Sequence, residues 1–354
     1  MDKIPVVSSA PSAVSIGRQV WADFARVVAV YGVVLIHSCG AAFYQYSKIP
    51  LSSWLQAVVL DSVVRSAVPL FVMLSGALIF GTAAKGGTIV ETIHQIPRRL
   101  MRVFVPLVIW SGLYLLYLAQ SGLEVDIKSI LIKPAMYHLW FGYMILGIYF
   151  LLPILRPIYT SMQGSVSFAS YFFVVWIVLT SVSVYWPISF LSLLQQNSLF
   201  GYGGYFILGA LLATVQIPFS SIVWAVVWGA SVLLTACITW LKSESAGLPV
   251  ETAFDYFSPN VVVASVAAFV LLSRIRIANH LTDFIKALSD LSFIVYFVHV
   301  LVLEYVRFNP ILIQETEKWP VGLLIIAISL ITFLLSMLIA STIRLAPGSR
   351  HVFG

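Results

Sequence analysis

The chain has 354 residues, 60% of them hydrophobic and only 10% charged, with a formal net charge of +6 and a mean hydropathy of +0.98. A soluble domain of this size needs far more charge to cover its surface, so composition excludes that class and leaves a polytopic, all-α membrane protein. The apolar runs are long and unbroken rather than alternating over about ten residues, which excludes a β-barrel. The basic residues sit beside those runs rather than in a basic domain, so membrane orientation accounts for the charge and no nucleic-acid partner is expected.

From the N-terminus, residues 1–17 lack the charged start and compact apolar stretch of a cleavable leader and read as a short cytoplasmic tail. Apolar runs of about 17–25 residues between turn and charge signals then mark about ten spans. Their limits lie near 18–40, 55–80, 103–120, 138–156, 168–186, 200–216, 220–241, 259–273, 288–307 and 321–343, giving a transmembrane domain over 18–345 and a second cytoplasmic tail over 346–354. Of the 20 Lys and Arg residues, Arg26 and Arg65 fall inside spans. Lys48, Lys128, Lys133, Lys242, Arg307 and Lys318 occupy the loops opposite the N-terminal tail, and the remaining twelve share the tail's side. Cytoplasmic segments collect positive charge, so both termini are placed inside. Every loop is short, and any chemistry therefore belongs to the bundle or its mouths. Cys39 and Cys237 lie in apolar segments without CxxC spacing, so neither a metal nor a redox site is expected.

The first span, WADFARVVAVYGVVLIHSCG, carries Asp23, Arg26 and His37 where a merely structural helix would have Leu or Ala. Arg26 and His37 are eleven residues apart, which returns to nearly the same helix face about 16 Å further along the axis. Asp23 and Arg26, one turn apart, can neutralise each other near the inner interface. Alternatively, Arg26 faces a cavity that takes an anionic or polar ligand from the cytoplasm, and His37 is a general base, the role a neutral imidazole fills best near pH 7. In the second span Asp61 and Arg65 are four residues apart and share a face at a depth similar to His37. They either cancel inside the bundle or leave Arg65 to hold a developing oxyanion. Ser75 and Gly76 suit close helix packing.

Before the third span, Arg98, Arg99 and Arg102 are a positive-inside anchor or, with Arg99 and Arg102 one turn apart, a fork for phosphates. The fourth span opens with YHLWFGYMILGIYF, placing His138, Trp140 and Tyr143 at the outer mouth, where aromatic residues form an interfacial belt or, beside a histidine, a sugar-binding rim. In the ninth, SFIVYFVHVLVLEYVR, Tyr296 and His299 share a face near the membrane centre, with Glu304 and Arg307 extending the polar stripe; His299 is the second candidate base. GxSxG, Walker and HExxH motifs are absent, leaving serine hydrolase, ATPase and metalloprotease readings without support. Buried ions also suit an ion- or proton-coupled transporter, although the chain shows no internal repeat.

Taken in order, the Asp-Phe-Ala-Arg…His pattern of the first span, VPLFVMLSGALIF, the RxxR of Arg99 to Arg102, KPAMYHLWFGYMILGIYFLLPIL, GYFILGALL and SFIVYFVHVLVL resemble the acyltransferase 3 family of membrane O-acyltransferases along nearly the whole chain. The KPAMYHLWF stretch is similar to the branch that includes the enterobacterial common antigen O-acetyltransferase. The resemblance implies a ten-span enzyme of the bacterial inner membrane that places acetyl groups from cytoplasmic acetyl-coenzyme A on carbohydrate or lipid-linked sugar hydroxyls at the outer side. It makes Arg26 and His37 essential and lets Arg99 and Arg102 meet the phosphates of the coenzyme, which is a co-substrate; no permanently bound cofactor is expected. Transfer proceeds either directly, with His37 as base, or through an acetylated histidine. Because the sequence stops after the tenth span, no fused soluble domain is expected to take part, and the bundle itself serves the acceptor.

Overall fold

The structure, a computed structural model, describes residues 19–81, 88–123, 133–186, 200–309 and 319–353. The expected N-terminal tail lies outside the described residues, as do Lys3, Arg18, Lys85, Lys128 and Lys318 of the charge bias. The described chain is helical throughout, with no strand. Eight described helical stretches are long and apolar enough to cross a membrane, nine with one bent pair taken together. Their outward sides expose Val108, Leu116, Val174, Val226, Leu334 and Leu338. An apolar surface of that kind suits lipid rather than water, and the chain is a polytopic all-α membrane protein.

Helix α1 (Val20–Phe43) is followed by α2 (Leu51–Val64) and α3 (Ala67–Gly76), the last continuing into a π turn over Ala77–Gly81. The sequence reads the second span as one helix, but it breaks at Arg65 and Ser66. Pro69 has no N–H to offer the Arg65 carbonyl, so the hydrogen-bond ladder lapses there and resumes with Leu70 N–H donating to the Ser66 carbonyl at 2.9 Å. Helix α4 (Ile89–Gln120) begins well before the expected limit, at a capping box in which Thr88 and Glu91 each accept the other's backbone N–H at 3.1 Å. Arg98, Arg99 and Arg102, expected to sit just before this span, therefore stand on its first half.

The fourth span also departs from a single helix. A 3₁₀ turn (Tyr137–Leu139) leads into α5 (Trp140–Phe150), which bends by 68° into α6 (Leu152–Gly164). Pro153 in the first turn of α6, with no N–H to continue the ladder, accounts for the break. Next come α7 (Val166–Tyr185) and α8 (Gly201–Leu212). With its 12 residues, α8 is only about 18 Å long, so the described helix of the sixth expected span is by itself short of the roughly 30 Å hydrocarbon layer. The chain ends with α9 (Ser221–Ala246), a 3₁₀ turn (Thr252–Phe254), α10 (Pro259–Ser273), α11 (Thr282–Arg307), α12 (Val321–Leu345) and α13 (Ser349–Val352). The stretch after α12, read from sequence as a tail, folds back: the Phe353 ring meets Trp110 of α4 with centroids 6.2 Å apart.

Helix α1 is the centre of the bundle, packed against α2, α3, α10, α11 and α12. Its buried Ala22, Ala25, Ala29 and Gly32 let those neighbours approach closely. A second close approach joins α3 and α8. A Cβ on Gly76 would stand 1.8 Å from the Phe206 carbonyl oxygen, and one on Gly209 2.1 Å from that of Met73. These neighbours are backbone and cannot swing aside. Gly209→Ala is expected to destabilise the protein by about 1–3 kcal/mol, the usual range for overpacking, read as a lower midpoint of thermal unfolding in detergent. An unchanged midpoint would mean the two backbones do not touch.

Candidate active site

Three histidines far apart in sequence meet inside the bundle. His37 of α1 stacks on His299 of α11, with centroids 5.3 Å apart and planes 26° from parallel. His138, on the 3₁₀ turn before α5, lies 5.0 Å from His299 and 6.5 Å from His37. The backbone fixes two of the rings. His299 Nδ1 lies 2.7 Å from the Tyr296 carbonyl oxygen, so this nitrogen carries the proton and Nε2 presents a lone pair. His138 Nε2 faces the Phe297 carbonyl at 3.4 Å and carries the proton there. Both remaining nitrogens, His299 Nε2 and His138 Nδ1, are buried with no hydrogen-bond partner among the described residues. Buried acceptors left unmatched mark a place where another molecule's hydrogen belongs.

His37 differs from its two neighbours. Among the described residues its ring makes no hydrogen bond, and it lines a cavity of about 530 Å³. The cavity opens at the end of the bundle where α1 and α11 finish and α2 and α10 begin, and Tyr44, Tyr137, Glu251, Phe254, Tyr256 and Glu304 are among its walls. Two cations stand at its side, Arg65 and Arg307. The break between α2 and α3 turns Arg65 inward: its guanidinium reaches Asp61 at 3.1 Å and the Phe254 carbonyl at 2.6 Å, and lies over the Phe254 ring at 4.9 Å. The pairing of Arg65 with Asp61 that the spacing allowed is present, and Arg65 also lines the cavity that His37 lines. Arg307, counted with the outer loops, closes the last turn of α11 and donates to the carbonyls of His37 and Ser38.

Beneath the cavity, a pocket of about 30 Å³ lies between His37, His138, Trp140, Phe71, Phe141 and Tyr296. At the opposite end of α1, Arg26 donates to Asp23 at 3.3 Å and to Ser289 at 2.8 Å, and Ser289 donates to the same Asp23 oxygen at 2.7 Å. The neutralising arrangement foreseen for Asp23 and Arg26 is thus present, shared with α11. Tyr149 of α5 lies within electrostatic reach of Arg26, Arg99 and Arg102. Arg99 is also held by Gln95 at 2.8 Å, while Arg98 and Arg102 are exposed. Arg26, Arg99 and Arg102 therefore gather on the side of the bundle away from the cavity.

The expected sugar rim divides. Trp140 lies inside the wall, between Tyr202 at 5.5 Å and Tyr256 at 6.1 Å, rather than in an interfacial belt. The Tyr296 hydroxyl donates to the His138 carbonyl at 2.8 Å and so positions that residue. Tyr143 packs beside the core formed by α4 and α11 and lines neither the His37 cavity nor the pocket below it. Sequence reasoning did not assign site roles to Arg307, Tyr137, Glu251, Phe254 or Tyr256. A signal existed for Arg307, which follows His299 by eight residues and so returns within a quarter turn of its face. Glu251, Phe254 and Tyr256 depend on how the loop before α10 folds, and Tyr137 on the 3₁₀ turn before α5. Among the described residues no cluster able to hold a metal ion is present.

A family model described as an acyltransferase domain matches residues 19–341, most of the chain. No curated protein and no solved structure matches it. The ordered motifs, the bundle of apolar helices and this match agree: the chain belongs to the acyltransferase 3 family and is a multi-pass membrane acyltransferase.

Proposed function

We propose that the protein moves an acetyl group from cytoplasmic acetyl-coenzyme A to a hydroxyl of a cell-envelope carbohydrate, a glycolipid or polysaccharide sugar, at the outer face of the bacterial inner membrane. The observation that carries this reading is the placement of His37, unpartnered and facing a cavity beside Arg65 and Arg307, on the same helix as the inward Arg26. The bias of Lys and Arg supports assigning the cavity end to the outside, and the similarity of KPAMYHLWF supports the carbohydrate acceptor.

In this reading His37 takes the proton of the sugar hydroxyl, and the oxygen attacks the thioester carbonyl carbon. Negative charge gathers on the carbonyl oxygen, where Arg65 or Arg307 stabilises it. Collapse breaks the carbon–sulfur bond, and the proton held on His37 passes to the departing thiolate. His299 and His138 offer lone pairs to a protonated His37 or to the bound hydroxyl. On the donor side, Arg98, Arg99, Arg102 and Arg26 meet the phosphates of the coenzyme. The pocket below His37 has room for about one water molecule, so passage of the pantetheine arm requires the Phe71 and Phe141 rings, 5.9 Å apart, to part.

The test is transfer of label from radiolabelled acetyl-coenzyme A to envelope glycolipids and glycans by the purified protein in lipid nanodiscs. Consumption of the donor without label on any sugar would sink the carbohydrate reading. In the same assay, Arg99→Ala/Arg102→Ala is expected to raise KM for acetyl-coenzyme A about tenfold or more, since a hydrogen bond to a charged group contributes about 1.5–3 kcal/mol, with kcat unchanged. Unaltered KM would remove these arginines from donor binding.

A further inference from the structure

A second cavity, of about 590 Å³, adjoins the one that holds His37. The two share Arg65, Glu251, Phe254 and Tyr256. Beyond that common edge the second is walled by Trp140, Tyr202 and Phe257. Trp140 lies 30° from parallel with Tyr256 and 41° from parallel with Tyr202, and Tyr202 meets Phe257 at 4.8 Å, so the rings form a continuous aromatic wall. Its polar tips are unused: the Tyr202 and Tyr256 hydroxyls and Trp140 Nε1 have no hydrogen-bond partner among the described residues. Two carboxylates, Glu251 and Asp255, also line the space.

This combination selects an occupant. A lipid chain would cover the rings but strand the tyrosine and tryptophan tips, at the desolvation cost of unpaired polar groups. A phosphate would meet two carboxylates, while Arg65, the cation in this lining, is already held by Asp61 and the Phe254 carbonyl. A pyranose ring has an apolar C–H face to lie on an aromatic plane and a rim of hydroxyls to bond the tips and the carboxylates. We propose that the second cavity binds the sugar ring next to the one being acylated, so that the preferred acceptor is at least a disaccharide, with one ring presenting its hydroxyl to His37 and the other lying on Trp140 and Tyr202. This inference rests on the carbohydrate-acceptor reading above.

The test compares matched mono- and disaccharides of N-acetylglucosamine, glucose and mannose as acceptors, with radiolabelled acetyl-coenzyme A and the full chain in nanodiscs. For the accepted sugar, the disaccharide is expected to show a KM about tenfold lower, the factor that about 1.4 kcal/mol of added contact yields. Val184 lines the second cavity and not the first. Val184→Trp fills the second cavity and is expected to abolish the disaccharide advantage while leaving the monosaccharide constants unchanged. Tyr202→Phe, which keeps the ring, is expected to weaken the advantage and guards against misfolding of the first variant. Equal KM for both acceptors, or an advantage that survives both substitutions, overturns the subsite alone. Donor consumption without transfer to any sugar overturns the acceptor reading and the subsite with it.

Discussion

His37→Ala is expected to lower kcat for acetyl transfer by about 10²–10⁴-fold, the contribution of a positioned general base, with binding of coenzyme A unchanged. Binding should survive because Arg26 stands about 16 Å along α1 from the imidazole, and Arg99 and Arg102 of α4 gather at that same inner end. The variant leaves a space that opens directly onto the cavity, so added imidazole should restore part of the rate. Rescue by imidazole separates chemistry from folding, since a misfolded bundle would not respond to a small base. The same measurements on His299→Ala discriminate between the two candidate bases. His299 is fully buried and its Nδ1 is committed to a backbone carbonyl, so its loss should cost less than that of His37. A larger loss for His299→Ala, with His37→Ala near wild type, would assign the base to His299 instead.

The second large effect concerns Arg65, whose structural and chemical roles pull on different measurements. Its side chain and that of Asp61 are 15% and 6% exposed, so removing the cation strands a buried carboxylate. Arg65→Gln is therefore expected to lose about 3–5 kcal/mol of stability, the usual result of breaking a buried pair. Asp61→Asn on the same background removes the stranded charge and should recover most of that loss. If Arg65 also holds the oxyanion, kcat of the double variant stays about 10²–10³-fold down, as when an oxyanion donor is deleted. Recovery of stability and rate together would make Arg65 a structural ion alone. Arg307 is the natural second donor, because it approaches the same cavity from α11.

The elements show which parts of this molecule can be read locally. Long apolar runs became α1, α4, α7, α9, α11 and α12 within a few residues at most ends, because hydropathy over about twenty residues is a property of the segment itself. The departures have local causes in the sequence. Pro69 breaks the second span, Pro153 bends the fourth, and Thr88 with Glu91 starts α4 early. Two of these breaks matter for the site, since one aims Arg65 and the other ends α5 soon after it has placed Trp140. The close approach of α3 and α8 is a matter of packing, where Gly76 and Gly209 bring two backbones into contact.

For the site, sequence by itself determined the membrane class and the presence of ionisable groups where lipid-facing residues belong, with Arg26 and His37 on one face of α1. Those conclusions need only composition and the 3.6-residue period. Only the tertiary structure decided that His37, His138 and His299 converge, that Arg65 serves Asp61 and the cavity at once, that Arg307 turns inward, and that Trp140 joins Tyr202 and Tyr256 in a second chamber. Each of these links segments that are remote in the chain, and a distance of that kind is set by how whole helices pack rather than by any residue's neighbours in sequence.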